Sequence, residues 1–193
     1  MTLPPVIRVF FAIDLPSAAK AVLADYLTQL KKQSKSHAIR WSRPENLHIT
    51  LQFLAEVPPD AIQAMVAKVT LALQASLGEQ RFTLGRLRVF PDPYRPRVIV
   101  MDVAPQVGLA EVSRLIGEGI VEAGLPIEDR PFRAHLTLGR IKQPQGLSLG
   151  FLSQAALPAL AEQCISEVVL FQSEPHPEGS HYTPLARLPL GNK

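Results

Sequence analysis

Apolar positions along the chain follow two rhythms. Short β-branched and apolar runs read as strands at Arg8–Pro16 (RVFFAIDLP), Asn46–Leu54 (NLHITLQFL), Phe82–Phe90, Arg97–Pro105 (RVIVMDVAP), Arg133–Ile141 (RAHLTLGRI) and Ile165–Gln172. Elsewhere the apolar residues recur at spacings of three and four, the mark of a helix with one buried face. Leu23, Tyr26, Leu27 and Leu30 form one such stripe, and Leu109, Val112, Leu115 and Ile116 another. Ser17 is expected to cap the first helix and Gly124 to stop the second. Asp60–Leu73 reads as a further helix and Phe151–Ala161 as its weaker counterpart. Breaker residues set Pro91–Arg97, Gln143–Gly150 and Ser173–Pro184 apart as turns or linkers.

The same order of elements occurs twice. RVFFAIDLP and RVIVMDVAP are offset by 89 residues, and His48 and His135 by 87. Residues 1–193 therefore read as a single domain of two β-α-β-α-β halves, about 1–91 and 92–193, joined at PDPYRPR.

Composition narrows the class. A chain of 193 residues with 47% hydrophobic content buries a sizeable core without covalent staples. The single cysteine, Cys164, excludes an intrachain disulfide framework and a C-x-x-C metal or redox pair. No run of ~18 apolar residues offers a membrane span, and the N-terminal apolar run is broken by Arg8, Asp14 and Pro16, unlike a signal peptide. A cytoplasmic location is the expectation. The net charge of +3 suits a polyanionic ligand without demanding one.

The chemistry sits in the two central strands. Each holds an H-x-T-L tetrad: His48-Ile49-Thr50-Leu51 and His135-Leu136-Thr137-Leu138. Residues two apart on a strand share a face, so each histidine joins its threonine opposite a pair of apolar residues. If a pseudo-two-fold axis relates the halves, both His/Thr faces line one cleft. Two imidazoles suit phosphodiester cleavage, one taking a proton from the nucleophile and the other giving one to the leaving oxygen. The threonine hydroxyls, Thr50 and Thr137, are placed to hold phosphate oxygens. With five His and seven Thr, chance gives about 0.2 H-x-T triplets, and the chain has three. The third, His181-Tyr182-Thr183, lies off the repeat offset and is read as a loop decoy.

Further residues are weighed against plainer roles. Strict alternation puts Arg140 opposite His135, so it reaches the cleft only if the strand bulges or ends near Gly139. Phe53, its counterpart, has the parity of Ile49 and Leu51 and is expected in the core. Tyr182 is a candidate for stacking on an unpaired base, and Trp41 is expected to pack. Arg81, Arg86, Arg88, Arg95 and Arg97 form a cationic group that suits either an RNA backbone or a solvated sheet face. His176 and His181 have the spacing of a metal pair, but no cysteine or acidic framework accompanies them, so no metal site is expected.

The sequence resembles the 2H phosphoesterase superfamily, and within it the LigT-like RNA 2′,3′-cyclic phosphodiesterases. The likeness spans RVFFAIDLP, RWSRPENLHITLQFLAE (40–56), FTLGRLRVFP, DRPFRAHLTLGRIK (129–142) and the terminal segment with Tyr182. It implies an α+β fold of two pseudo-symmetric lobes, each a mainly antiparallel sheet with outer helices, around a central cleft. It also implies hydrolysis of an RNA 3′-terminal 2′,3′-cyclic phosphate to a 2′-phosphomonoester, with no cofactor and no metal. His48 would be the proton donor and His135 the acceptor, with Thr50, Thr137, Arg140 and Tyr182 on the substrate. The expected partner is RNA with a cyclic phosphate end, or a small cyclic nucleotide, acted on by a monomer with no obligate protein partner. Two rivals stay open: ATP-independent 2′-5′ RNA ligation at the same site, and an RNA-binding module without turnover.

Overall fold

The computed structural model describes residues 6–76, 78–128, 131–177 and 179–191. Among these, the apolar runs form strands β1 (Ile7–Asp14), β2 (Ile39–Trp41), β3 (His48–Val57), β4 (Gln80–Phe90), β5 (Val98–Ala104), β6 (His135–Ile141), β7 (Gln163–Ile165), β8 (Glu167–Glu174) and β9 (His181–Pro189). They build two sheets, ordered β3-β1-β8-β9 and β2-β6-β5-β4-β7, with antiparallel pairings throughout. The chain is thus α+β, as the resemblance implies.

The halves exchange strands. In the first sheet β3 and β1 come from the first half, yet their neighbour β8 comes from the second. In the second sheet β6 and β5 come from the second half, and their neighbour β4 from the first. The orders β3-β1-β8 and β6-β5-β4 correspond strand for strand, so the pseudo-symmetry is present, but neither sequence half is a lobe. The Pro91–Arg97 stretch is accordingly the turn of the β4–β5 hairpin inside one sheet.

Period-two alternation sorts each strand into two faces. Val9, Phe11 and Ile13 of β1, and Ile99, Met101 and Val103 of β5, enter a continuous apolar core. Helices α1 (Ser17–Ser34), α2 (Ile62–Leu73) and α3 (Val107–Glu122) supply the rest, with the predicted stripes buried. Helix α3 lies against β3 and α2, and its Gly119 sits so near Val69 of α2 that a Cβ there would come within 2.6 Å of the Val69 Cα. Only glycine permits that crossing. Gly124 ends α3 in a left-handed conformation, φ +80°. There Leu125 N–H donates to the Ile120 carbonyl and Gly124 N–H to that of Val121, closing the helix in a Schellman motif.

Several expectations change. Ser17 is the first helical residue rather than the cap, since Pro16 holds the cap position and no side chain bonds there. Helix α4 is one turn, Phe151–Gln154, instead of reaching Ala161, because Ala155 is already extended and Pro158 comes soon after. Both ends of the 173–184 stretch are strand, with β8 running to Glu174 and β9 starting at His181. The third H-x-T triplet therefore opens a strand, which its flanking glycine and proline disguise. No helix among the described residues is long and apolar enough to cross a membrane.

Candidate active site

The cleft lies where β3 meets β6, on the sheet faces turned away from the core. Its cavity of about 260 Å³ is lined by His48, Thr50, Thr137 and Arg140 together with Arg8, Phe10, Arg40, Trp41, Phe53 and Tyr182. His135 stands two residues before Thr137 on the same face, outside the enclosed part of that cavity. The two H-x-T strands are thus brought together, as the pseudo-two-fold reading requires.

Twin β-bulges shape the floor. Opposite β1, Gln52 pairs with Phe11 and Thr50 with Ala12, leaving Leu51 as the extra residue. Opposite β5, Gly139 pairs with Ile99 and Thr137 with Val100, leaving Leu138 extra. Each bulge falls on the leucine of its H-x-T-L tetrad. A bulge reverses the parity of the residues after it, so Arg140 turns onto the face of His135 and Thr137. The same device brings Phe53 onto the face of His48, where it lines the cleft beneath the Arg8 guanidinium, 5.4 Å from its ring centre. Phe53 is therefore not a core residue, and simple alternation misplaces it.

A bulge leaves a carbonyl without a ladder partner, and each finds a serine. Ser113 of α3, itself buried, donates from Oγ to the Leu51 carbonyl at 2.8 Å. Ser42 donates from its backbone N–H to the Leu138 carbonyl at 2.8 Å and from Oγ to the Thr137 carbonyl at 2.9 Å. Gly139 admits β2 beside the second bulge, since a Cβ there would meet Trp41 Cε3 at 3.3 Å. Neither serine stands out in the sequence, because both act through backbone whose register is set only on folding.

Both imidazoles are held alike. His48 Nδ1 lies 2.7 Å from the Asn46 carbonyl and His135 Nδ1 2.8 Å from that of Arg133. A carbonyl only accepts, so Nδ1 carries the proton in each ring and Nε2 is the nitrogen whose protonation can change during a reaction. In neutral His48 the Thr50 hydroxyl donates to Nε2 at 3.0 Å. Each histidine also faces an aspartate across the sheet: Asp14 opposite His48 and Asp102 opposite His135. Lys20 clamps Asp14 at 2.5 Å and the Glu45 carbonyl at 2.8 Å, while Arg88 and Arg133 hold Asp102. These are the aspartates of the two repeat motifs, now seen beside the histidines.

Over residues 13–100 the chain matches the family described as LigT like Phosphoesterase. It is 33% identical over 135 residues to the RNA 2′,3′-cyclic phosphodiesterase of Methanocaldococcus jannaschii, covering 70% of this chain and 72% of that protein. Identity to the protein of the same name from Thermus thermophilus is 30% over 195 residues, covering 95% and 90%. The chain belongs to the LigT-like phosphoesterase family. The crystal structure of TT0787 of Thermus thermophilus superposes with a TM-score of 0.79 at 26% identity, over 97% of this chain and 100% of that one. Apo LigT of E. coli gives 0.73 at 25%, over 98% and 100%.

In this LigT-like cleft the His48 ring is enclosed by aromatic neighbours, Phe10 at 4.8 Å and Tyr182 at 5.3 Å between ring centres. Burial pushes its pKa down to about 4, partly opposed by the Asn46 carbonyl and by Asp14, while Lys20 and Arg140 add to the depression. Tyr182 thus stands against His48. Pro177 and Ser180, which precede it, are tied to the cleft by Arg40 Nη2 donating to the Pro177 carbonyl at 3.1 Å and Asn46 Nδ2 to that of Ser180 at 2.9 Å. Trp41 both lines the cleft and packs edge-on to Phe151 at 6.4 Å. His176 and His181 meet at 4.8 Å, yet no group of three or more potential metal ligands occurs among the described residues.

Proposed function

We propose that the chain hydrolyses the 2′,3′-cyclic phosphate at an RNA 3′ end to a 2′-phosphomonoester, in keeping with the name its relatives carry, RNA 2′,3′-cyclic phosphodiesterase. One observation carries the reading: two H-x-T strand faces, each bulged at the same leucine, converge on one cleft with both rings anchored through Nδ1.

Nε2 of neutral His135 takes a proton from water as its oxygen bonds to phosphorus. The bond from phosphorus to the 3′-oxygen breaks, and His48 Nε2–H protonates that oxygen. Thr50 and Thr137 donate to the non-bridging oxygens, and Arg140 offers a bidentate clamp for the charge. With its pKa near 4, His48 is neutral in the free protein at pH 7. A phosphate anion in the cleft favours the imidazolium, so substrate binding recruits the proton that catalysis later spends. Attack in line with the leaving oxygen puts water on the His135 side and the ribose on the enclosed His48 side. Tyr182 borders that side and is the residue for the sugar or base.

The testing assay offers a short RNA ending in 2′,3′-cyclic phosphate, with EDTA present, and identifies the product isomer. A 2′-phosphate at undiminished rate is expected. A 3′-phosphate, or activity that returns only with a divalent ion, would overturn the mechanism.

A further inference from the structure

The β4–β5 turn has no part in this hydrolysis, yet it is a built feature. Asp92 Oδ1 accepts the backbone N–H of Tyr94 at 2.8 Å and of Arg95 at 3.0 Å. Arg97 N–H closes the turn on the Phe90 carbonyl at 2.7 Å, and Pro96 is buried. The result holds Tyr94 away from the protein, 95% exposed, in a turn whose Arg95 and Arg97 are placed beside it. Tyrosine is the residue type that offers a rigid apolar ring to a partner.

The turn also has a defined place relative to the cleft. Phe90 pairs with Val98, Val98 with Arg140 and Arg140 with Arg40, so the hairpin base lies in one row with two cleft arginines. β4 is two strand spacings from β6, roughly 10 Å. Between them Arg133 lies over the Phe90 ring at 4.8 Å, and that ring meets His135 edge-on at 5.4 Å. Arg88, Arg133 and Arg140 lie on this side, Arg95 and Arg97 are exposed in the turn itself, and the aspartates nearby, Asp92 and Asp102, are already engaged by the turn and by arginine. Cations interleaved with aromatic rings match the repeating phosphates and flat bases of an unpaired nucleic acid strand.

We propose that the β4–β5 turn is a second contact site for single-stranded RNA, with a base stacked on Tyr94 and backbone phosphates on Arg95 and Arg97. The protein would then prefer an oligonucleotide end to a cyclic mononucleotide. The proposal rests on the cleft being the cyclic phosphate site.

The test compares kcat/KM for a 2′,3′-cyclic mononucleotide and for an unpaired RNA of about ten nucleotides with the same end. The longer substrate should be preferred, and Tyr94→Ala should lower its kcat/KM roughly 5- to 100-fold while leaving the mononucleotide unchanged. Replacing Arg95 and Arg97 together by Ala should flatten the slope of log KM against log salt by about 1.4, two phosphates on a single strand. Fluorescence anisotropy with the same RNA carrying a 2′-phosphate reads binding without turnover. Equal kcat/KM for both substrates in the native protein, or parent-like RNA binding by Tyr94→Ala, overturns the proposal. If neither substrate turns over while Tyr94→Ala still loses RNA affinity, the hydrolase reading falls and the contact site stands.

Discussion

Around His48 the sheet is covered, and around His135 it is open. β9 pairs with β8 along its whole length and carries Tyr182 over His48, whereas β7 pairs with β4 only at residues 80–82. Phe171 of β8 is stacked on Phe10 at 5.3 Å, while its pseudo-symmetric counterpart Phe90 meets only His135 and Arg133 among the ring contacts described. The bulges are twins, but they deliver Phe53 on one side and Arg140 on the other. The difference teaches that a duplicated framework supplies paired acid–base geometry, and that the elements added around it make the halves unequal. One side sets its imidazole between Phe10 and Tyr182, and the other sets its imidazole edge-on to Phe90 with no counterpart of Tyr182 among the ring contacts described.

The strongest way to break the comparison is to remove either ring. His48→Ala and His135→Ala should each lower kcat by roughly 10²–10⁴. His181→Ala, in the third triplet, should leave it near the parent value. Steady-state rates on a cyclic phosphate substrate decide this, and a loss for His181→Ala as large as for His48→Ala would end the two-fold reading.

The twin bulge residues give the next largest effect. Arg140→Ala removes a charged donor from the phosphate and should cost about 1.5–3 kcal/mol, roughly 10- to 100-fold in kcat/KM. Phe53→Ala removes a wall without charge and should act less, through KM. A larger loss at Phe53 would mean that the anion binds on the first-sheet side.

Titration sharpens the contrast in enclosure. By NMR the His48 ring should titrate near 4 in the free protein and higher with a 2′-phosphate nucleotide bound. Its folded value lies below the ordinary value of 6.5, so the unfolded chain binds a proton that the native one does not. Stability should therefore fall as pH drops from 6.5 toward 4, with a slope from this group of at most about 1.4 kcal/mol per pH unit. His48→Gln should flatten that slope in urea titrations, and an unchanged slope would refute the buried neutral ring.

The smallest effect concerns the serines under the bulges. Ser113→Ala strands the buried Leu51 carbonyl and should cost about 1–3 kcal/mol. Ser42→Ala keeps the backbone bond to Leu138 and should cost only about 0.5–1.5 kcal/mol. Urea midpoints in the reverse order would show that the first bulge is capped in some other way.

Much of this is legible in the sequence, for physical reasons. The H-x-T faces, the helical stripes and the Gly124 stop are local patterns, and they hold. Arg140 can be tied to a bulge near Gly139, because a glycine in a strand marks that possibility. The twin bulge at Leu51 carries no such marker, so alternation sends Phe53 to the core. Strand exchange is invisible for a different reason: pairing partners of β4 and β8 are non-local, and each run would fit the edge of either sheet. Tyr182 is noticeable in sequence but reads as a loop residue, because Pro184 in an edge strand resembles a breaker.

That exchange also has a mechanical side. The chain passes from one sheet to the other four times, at β1 to β2, β2 to β3, β3 to β4 and β7 to β8. Opening the molecule like a pair of jaws would require all four connections to yield together, whereas a working hinge concentrates its rotation in a few residues. The gap between the imidazoles therefore behaves as a fixed gauge set by tethers. The motion left for loading a substrate is then expected in side chains and surface loops rather than in the sheets.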